Sequence, residues 1–307
     1  MSFAQGSRSG LSYVAETVFG TTPTTPSLIQ LPYNTHSLNL TKQRVQGNDL
    51  QPDRMPRVDR HGNRSVAGDI VVDLRKGDYD PLLESAFMNS FSTNVLKVGT
   101  TLKSFSIEDA AEDIAQYRLF TGCAATSLAV SIKPNQMVTG TFSMLGKDGT
   151  ISGTSADAAK TVSSSNAPFD SYSGDLKIAD AGGSLASSAI ITGIDFTANN
   201  GLEAAYVVGS PSTPQLLYGL ATVEGSITAY FEDASLINRF INETETAIEV
   251  SVNDPTGSSA YTWLFPRIKI NGADVPVGGP GARTITLPFV ALYDTTEDTN
   301  IKLTRSV

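Results

Sequence analysis

Val66, Gly68, Ile70, Val72 and Leu74 alternate with Ala67, Asp69, Val71 and Asp73, the two-residue period of a strand with one buried face. Val223, Gly225, Ile227, Ala229 and Phe231 repeat that alternation in the same phase about a glycine. An acidic or hydroxyl helix start follows each, Asp78 or Asp80 before Pro81 and Asp233 or Ser235, residues suited to an N-terminus. Both predicted helices are short and share one apolar pattern, Leu82, Leu83, Ala86 and Phe87 against Leu236, Ile237, Phe240 and Ile241. Upstream, residues 38–41 match 194–197; downstream, residues 105–109 match 250–254. Aromatic strands follow at 117–120 and 261–265, then alternation through Leu128, Val130 and Ile132 or Ile268 and Ile270. A last strand runs through Val138, Phe142 and Met144 in one copy and Ile285, Leu287 and Phe289 in the other. Agreement in order, spacing and phase predicts one strand-rich unit used twice.

The pattern divides the chain into an extended N-terminal arm (1–27), a first β domain (28–146), a Gly/Ser-rich linker or hairpin tip (147–167) and a second β domain (168–307). Glycines and the prolines at 23 and 26 keep the arm out of a helix. Leu11, Tyr13, Val14 and Phe19 make it too apolar for a free tail, so it packs on its own domain or, the preferred reading, on a neighbouring subunit. Each domain is expected to open with a hairpin, from strands near 28–31 and 37–45 and near 175–179 and 189–197. The polar stretch 51–65 reads as a long loop carrying Arg54, Arg57, Arg60, His61 and Arg64 against Asp53 and Asp59. Its counterpart, 209–219, is proline-rich and nearly uncharged. Loops that differ on a shared scaffold point to contact surfaces.

A chain of 307 residues can hold two domains of ordinary size. The net charge of −9 argues against a binder that works by neutralising phosphates. One cysteine, Cys123, rules out an intrachain disulfide, and two histidines, His36 and His61, leave little for zinc or acid–base chemistry. No apolar run reaches membrane-spanning length and no secretory leader is legible, so a soluble protein of a reducing cytoplasm is expected. No nucleophile motif occurs. The acidic pairs at 108–109, 112–113 and 297–298 read as turn residues, and Asp78 and Asp80 as helix caps. No catalytic, cofactor or metal residues are therefore assigned. The arginine stretch interleaves two aspartates and lacks stacking aromatics, which favours contact with another subunit over nucleic acid.

Residues 13–23, Tyr-Val-Ala-Glu-Thr-Val-Phe-Gly-Thr-Thr-Pro, resemble the N-terminal signature of the major tail tube proteins of long-tailed, siphovirus-type bacteriophages. The resemblance continues through Leu31-Pro32, the long loop, residues 66–70, the helix at 79–87, and 117–128 and 137–142 with Gly122 and Gly140. It implies a mainly β fold of two tandem tube-like sandwich or barrel units, each with a short flanking α-helix. It also implies a structural virion protein, assembled in the host cytoplasm, whose inner strands join those of its neighbours into a barrel. Stacked rings would form a tail tube for genome ejection, with DNA passing the lumen without specific binding. Partners implied are further copies, then tail terminator, tape measure and distal tail proteins, with no membrane. Two units per chain favour a trimer with pseudo-sixfold symmetry over a hexamer. Tyr13, Phe19, Arg54, Arg57, Arg60, His61 and Arg64 are the expected inter-subunit contacts. A baseplate or capsid-associated ring protein and a β-sandwich adhesin are the alternative readings.

Overall fold

The computed structural model describes residues 3–188, 190–257 and 259–306. The fold is mainly β, with antiparallel sheets and two short α-helices. The first part comprises β1 (Ser9–Ala15), β2 (Ile29–Gln30), β3 (Thr35–His36), β4 (Asn39–Gln46), β5 (Asp59–Asp73), α1 (Asp80–Ala86), β6 (Val95–Lys97), β7 (Phe105–Ala111), β8 (Gln116–Ile132), β9 (Thr139–Gly146) and β10 (Asp148–Ser152). The second comprises β11 (Asp170–Asp180), β12 (Ala186–Ser187), β13 (Ile191–Asn199), β14 (Glu203–Ala205), β15 (Gln215–Leu217), β16 (Thr222–Tyr230), α2 (Ser235–Ile241), β17 (Thr246–Asn253), β18 (Ala260–Ile270), β19 (Thr284–Ala291) and β20 (Lys302–Arg305).

One antiparallel run of strands passes through the whole chain in the order β4–β5–β9–β8–β13–β16–β19–β18. Two further runs lie beside it, β2–β1–β7–β8–β10 and β12–β11–β17–β18–β20–β6. The long strands β8 and β18 belong to both kinds of run. The N-terminal part of β8 pairs with β7 and β10, and its C-terminal part with β9 and β13. A register shift between Ala125 and Ser127 and the left-handed Gly122 (φ +67°) sit near the changeover, as bulges do where a strand must bend.

Alternation decides what is inside. Strand β9 buries Gly140, Phe142, Met144 and Gly146 and turns Thr139, Thr141 and Ser143 outward, and β19 does the same through Ile285, Leu287, Phe289 and Ala291. Buried apolar residues of both parts form one contiguous cluster, and aromatic contacts cross it: Phe87 to Trp263 at 6.1 Å and Phe196 to Trp263 at 5.2 Å.

Strand partners differ from the expected hairpins. β2 pairs with β1 and β4 with β5; β11 pairs with β17 and β13 with β16. Ala189, at the start of one expected strand, lies outside the described residues. The expected arm contains β1, which pairs along its full length with β7 and buries Leu11 and Tyr13. The expected linker is laid along the chain's own surface. The buried Glu108 carboxylate accepts from Ser155 Oγ (2.7 Å) and the Ala156 amide (2.6 Å), and pairs with Lys160 Nζ (2.8 Å). Asp157 accepts from the Leu28 amide, and the Ser164 amide donates to Asp78. A carboxylate that reads in sequence as a turn residue is thus the anchor of a strap, and its burial is stabilised because every oxygen is paired.

Candidate assembly interface

The two parts of the chain meet along two strand pairings. In the first, β8 runs antiparallel to β13, with Ile132 opposite Ile194, Val130 opposite Phe196 and Leu128 opposite Ala198. Asp195 flanks it, accepting from Ser131 Oγ and standing 3.3 Å from Lys133 Nζ. In the second, β6 pairs with β20, Leu96 opposite Leu303. Asp80 at the start of α1 ties the first part to the second, its carboxylate accepting from the Tyr261 hydroxyl and the Arg305 guanidinium. Burial, then the Asp80 charge, raises the Tyr261 phenol well above its ordinary pKa and keeps it a proton donor. Arg305 also lies 4.3 Å from the Phe91 ring centroid, within cation–π range.

The apolar face of α1 is buried beside this junction. Leu82, Leu83, Ala86 and Phe87 are buried, and Asn200 Nδ2 donates to the Ala86 carbonyl at 2.8 Å. Helix α2 is not covered in this way: Phe240 and Ile241 are 38% and 63% exposed.

Register relates the parts on either side of this junction. Gly68 stands opposite Met144 as Gly225 stands opposite Phe289. Each glycine admits a close strand crossing: a Cβ on Gly68 would lie 2.5 Å from the Ser37 carbonyl oxygen, and one on Gly225 2.5 Å from that of Asp195. Helices α1 and α2 follow β5 and β16 respectively.

The outward face of the through-going sheet is hydroxylic and acidic. Asp69, Asp73, Asp195 and Glu224 lie among Ser131, Thr139, Thr141, Thr197, Ser226 and Thr228, with Lys133 at the margin. A shallow depression of about 450 Å³ lies on this face where β8 meets β13, lined by Ala129, Ser131, Thr141, Asp195, Thr197 and Glu224.

The residues singled out in sequence fall into two groups. Tyr13 and Phe19 are used within the chain. Tyr13 packs edge-to-face on Phe105 at 5.6 Å, and burial followed by the Asp78 and Asp80 charges pushes its phenol up to about 12. Phe19 joins a cluster of Met88, Ala124, Leu202 and Leu216, under the β14–β15 hairpin. Arg54 and Arg57 occupy the exposed tip between β4 and β5, whereas Arg60, His61 and Arg64 belong to β5 itself. Arg57 pairs with Asp53 at 2.5 Å and Arg64 with Asp148 at 2.6 Å. Among the described residues Arg54, Arg60 and His61 form no ion pair. Leu50 and Met55 are exposed beside them.

Glu16 is a hydrogen-bonding hub that composition and periodicity do not reveal. Its carboxylate accepts from the amides of Gly20 (2.7 Å) and Gly122 (2.8 Å) and from the hydroxyls of Ser104 (2.7 Å) and Ser106 (2.8 Å). It thereby fixes the turn after β1, closed by Thr21 bonding back to Val18, against the bend of β8. Its position inside the 13–23 signature was the only sequence signal. Cys123 lies beside this hub, and burial, with the Glu16 charge adding to it, pushes the thiol far above its ordinary range. On the same sheet Asp109 bonds Arg118 and stands 3.4 Å from His36 Nε2. Burial would raise the Asp109 pKa, yet the His36 and Arg118 hydrogen bonds outweigh it and lower the value. Among the described residues no group of three or more His, Cys, Asp or Glu side chains could hold a metal ion.

No curated protein matches the chain in sequence. A family model described as phage tail tube protein matches residues 6–291, from just before β1 to the end of β19. With nearly the whole chain matched, and with a mainly β architecture built around the signature at 13–23, this protein belongs to the phage tail tube protein family.

Proposed function

We propose that the chain is a duplicated wall segment of a tail tube, that three copies close into a ring of six similar sectors, and that stacked rings conduct DNA during ejection. The observation that carries this reading is the β8–β13 pairing. It continues the sheet from the order β4–β5–β9–β8 into β13–β16–β19–β18. One edge of that sheet is β4, and the other is the segment after β18, where Asn271 and Asp274 bond β19. Open edges at both ends invite pairing with further copies, and ring closure removes them. The paired glycines support a tandem repeat with units near 28–146 and 168–307, the first also taking in β1. The acidic, hydroxyl-rich face supports a lumen along which DNA slides without sticking, because like charges repel and no arginine cluster holds phosphate. The exposed tip bearing Arg54 and Arg57, with Arg60 at the adjoining start of β5, is assigned to contact with another subunit.

Electron microscopy of the purified protein tests this reading. Tubes whose rings contain three chains are expected. A stable monomer at high concentration in every salt, or rings of six chains with one part of each projecting outward, would refute it.

A further inference from the structure

Helices α1 and α2 end alike, and the surfaces at their ends differ. The Phe87 and Asn242 amides donate to Leu83 and Asn238, and the Met88 and Glu243 amides to Ser85 and Phe240. Met88 and Glu243 share a positive φ of 51° and 52°, so Glu243 is the counterpart of Met88. Met144 and Phe289 stand opposite the two paired glycines and, on their other sides, opposite Ala125 and Ile270. One rung further, Ala124 faces Leu145 as Lys269 faces Val290, which makes Lys269 the counterpart of Ala124. The same glycines align the loops after β4 and β13, whose last shared rungs are Thr41–Ser65 and Asn199–Thr222. Three residues on along one strand and six back along the other match Arg44 to Leu202 and Asp59 to Leu216.

Inside the chain Met88, Ala124, Leu202 and Leu216 are one buried apolar cluster, where the β14–β15 hairpin lies over the end of α1. All four counterparts are charged. They form two ion pairs at opposite ends of the through-going sheet, Arg44–Asp59 at 2.7 Å on β4 and β5 and Glu243–Lys269 at 2.6 Å beside α2. Every position of the quartet has changed from apolar to ionic together.

We infer that the β4–β5 arm of one copy lies across the end of α2 in the next copy, with Arg44 and Asp59 meeting Glu243 and Lys269. This contact rests on the trimeric-wall reading and names the surface on which the arm docks. At the base of the arm Lys42 takes the position of Asn200, whose side chain donates to the Ala86 carbonyl at 2.8 Å. The corresponding carbonyl is that of Ile241 in the last turn of α2, where a cation is favoured. Charge points the same way. Residues 41–64 hold six cations against three carboxylates in a chain of net charge −9, so the arm is drawn to other copies of its own chain. From Arg44 to His61 the two strands pair only with each other among the described residues, and a lone two-stranded ribbon is marginally stable until something covers it. The division of chemistry follows from when each contact forms. The contact within a chain is made during folding and can be apolar. The contact between chains must stay open in water until assembly, where exposed apolar halves would associate indiscriminately and self-paired charges do not.

The test is cross-linking of assembled tubes carrying Arg44→Cys and Glu243→Cys with a short flexible bis-maleimide. Cys123 is buried and does not react in the folded chain. Denaturing gels should show two- and three-chain products from the double variant and none from either single variant. Normal tubes that give no cross-link would overturn the docking while leaving the tube reading intact. A ladder continuing past three chains would also overturn it, placing the arm between rings. Failure of the unsubstituted protein to form tubes would instead overturn the tube reading. If the cysteine pair itself does not assemble, charge reversal decides the matter, with Lys42→Glu and Arg44→Glu together on the arm and Glu243→Lys on the receiving surface. Loss of tubes with either side reversed and recovery with both supports the docking; assembly with one side reversed, or no recovery with both, overturns it.

Discussion

Glu16 offers the sharpest test of how the family signature acts. Replacing it with alanine removes the acceptor of the Gly20 and Gly122 amides and of the Ser104 and Ser106 hydroxyls. The hydroxyls can turn elsewhere: Ser106 Oγ already lies 2.8 Å from Thr22 Oγ1. The two amides are fixed by the backbone, that of Gly122 in a buried residue and that of Gly20 in a half-buried one, so they lose their partners. A donor left unpaired costs about 1–3 kcal/mol, and a bond to a charged group contributes about 1.5–3 kcal/mol. Two orphaned amides, one of them in a buried residue, therefore give a loss of about 2–5 kcal/mol for Glu16→Ala. Glu16→Gln keeps one carbonyl oxygen and should lose about half as much, since its NH2 turns toward donors. Urea unfolding at low protein concentration, followed by the fluorescence of the buried Trp263, measures both. A Glu16→Ala midpoint shift equivalent to less than about 0.5 kcal/mol, with unchanged m-value, would refute the hub.

Gly68→Ala places a Cβ 2.5 Å from the Ser37 carbonyl at φ +151°; overpacking and backbone strain should together cost about 2–4 kcal/mol in urea unfolding. Asp109→Asn should destabilise the chain by about 1–3 kcal/mol at neutral pH. Because the folded Asp109 pKa is lowered, its contribution is present above the unfolded value near 3.9 and lost as pH falls through the folded one. The gap between variant and parent urea midpoints should accordingly close in strong acid. A gap that widens there would contradict the assignment. Arg54, Arg57 and Arg60 are exposed, and the Arg57–Asp53 pair is worth roughly 0–1 kcal/mol. Replacing all three with serine should leave the unfolding midpoint nearly unchanged while abolishing tubes by light scattering and microscopy; normal tubes would remove the tip from the interface.

Local pattern was enough to determine the mainly β class, the burial phase of β5, β9, β16 and β19, and the two short helices after β5 and β16. It also carried the signature that the family match bears out. A strand's period states which face is buried, because side chains alternate about the backbone whatever lies alongside. It does not state which edge bonds to which, since backbone donors and acceptors are the same in every residue but proline. Only the tertiary structure decided that residues 9–15 pair with β7, that β2 joins β1, and that β6 reaches β20. The acids show the same division. Asp233 does accept from the Ser235 amide as a helix start should, but Asp80 bonds Tyr261 and Arg305 instead. Glu108 anchors a strap 47 and 48 residues away. A carboxylate reads the same in sequence whether it is solvated in a turn or buried with its donors. The difference lies in partners that are distant along the chain, and only folding brings them within hydrogen-bond reach.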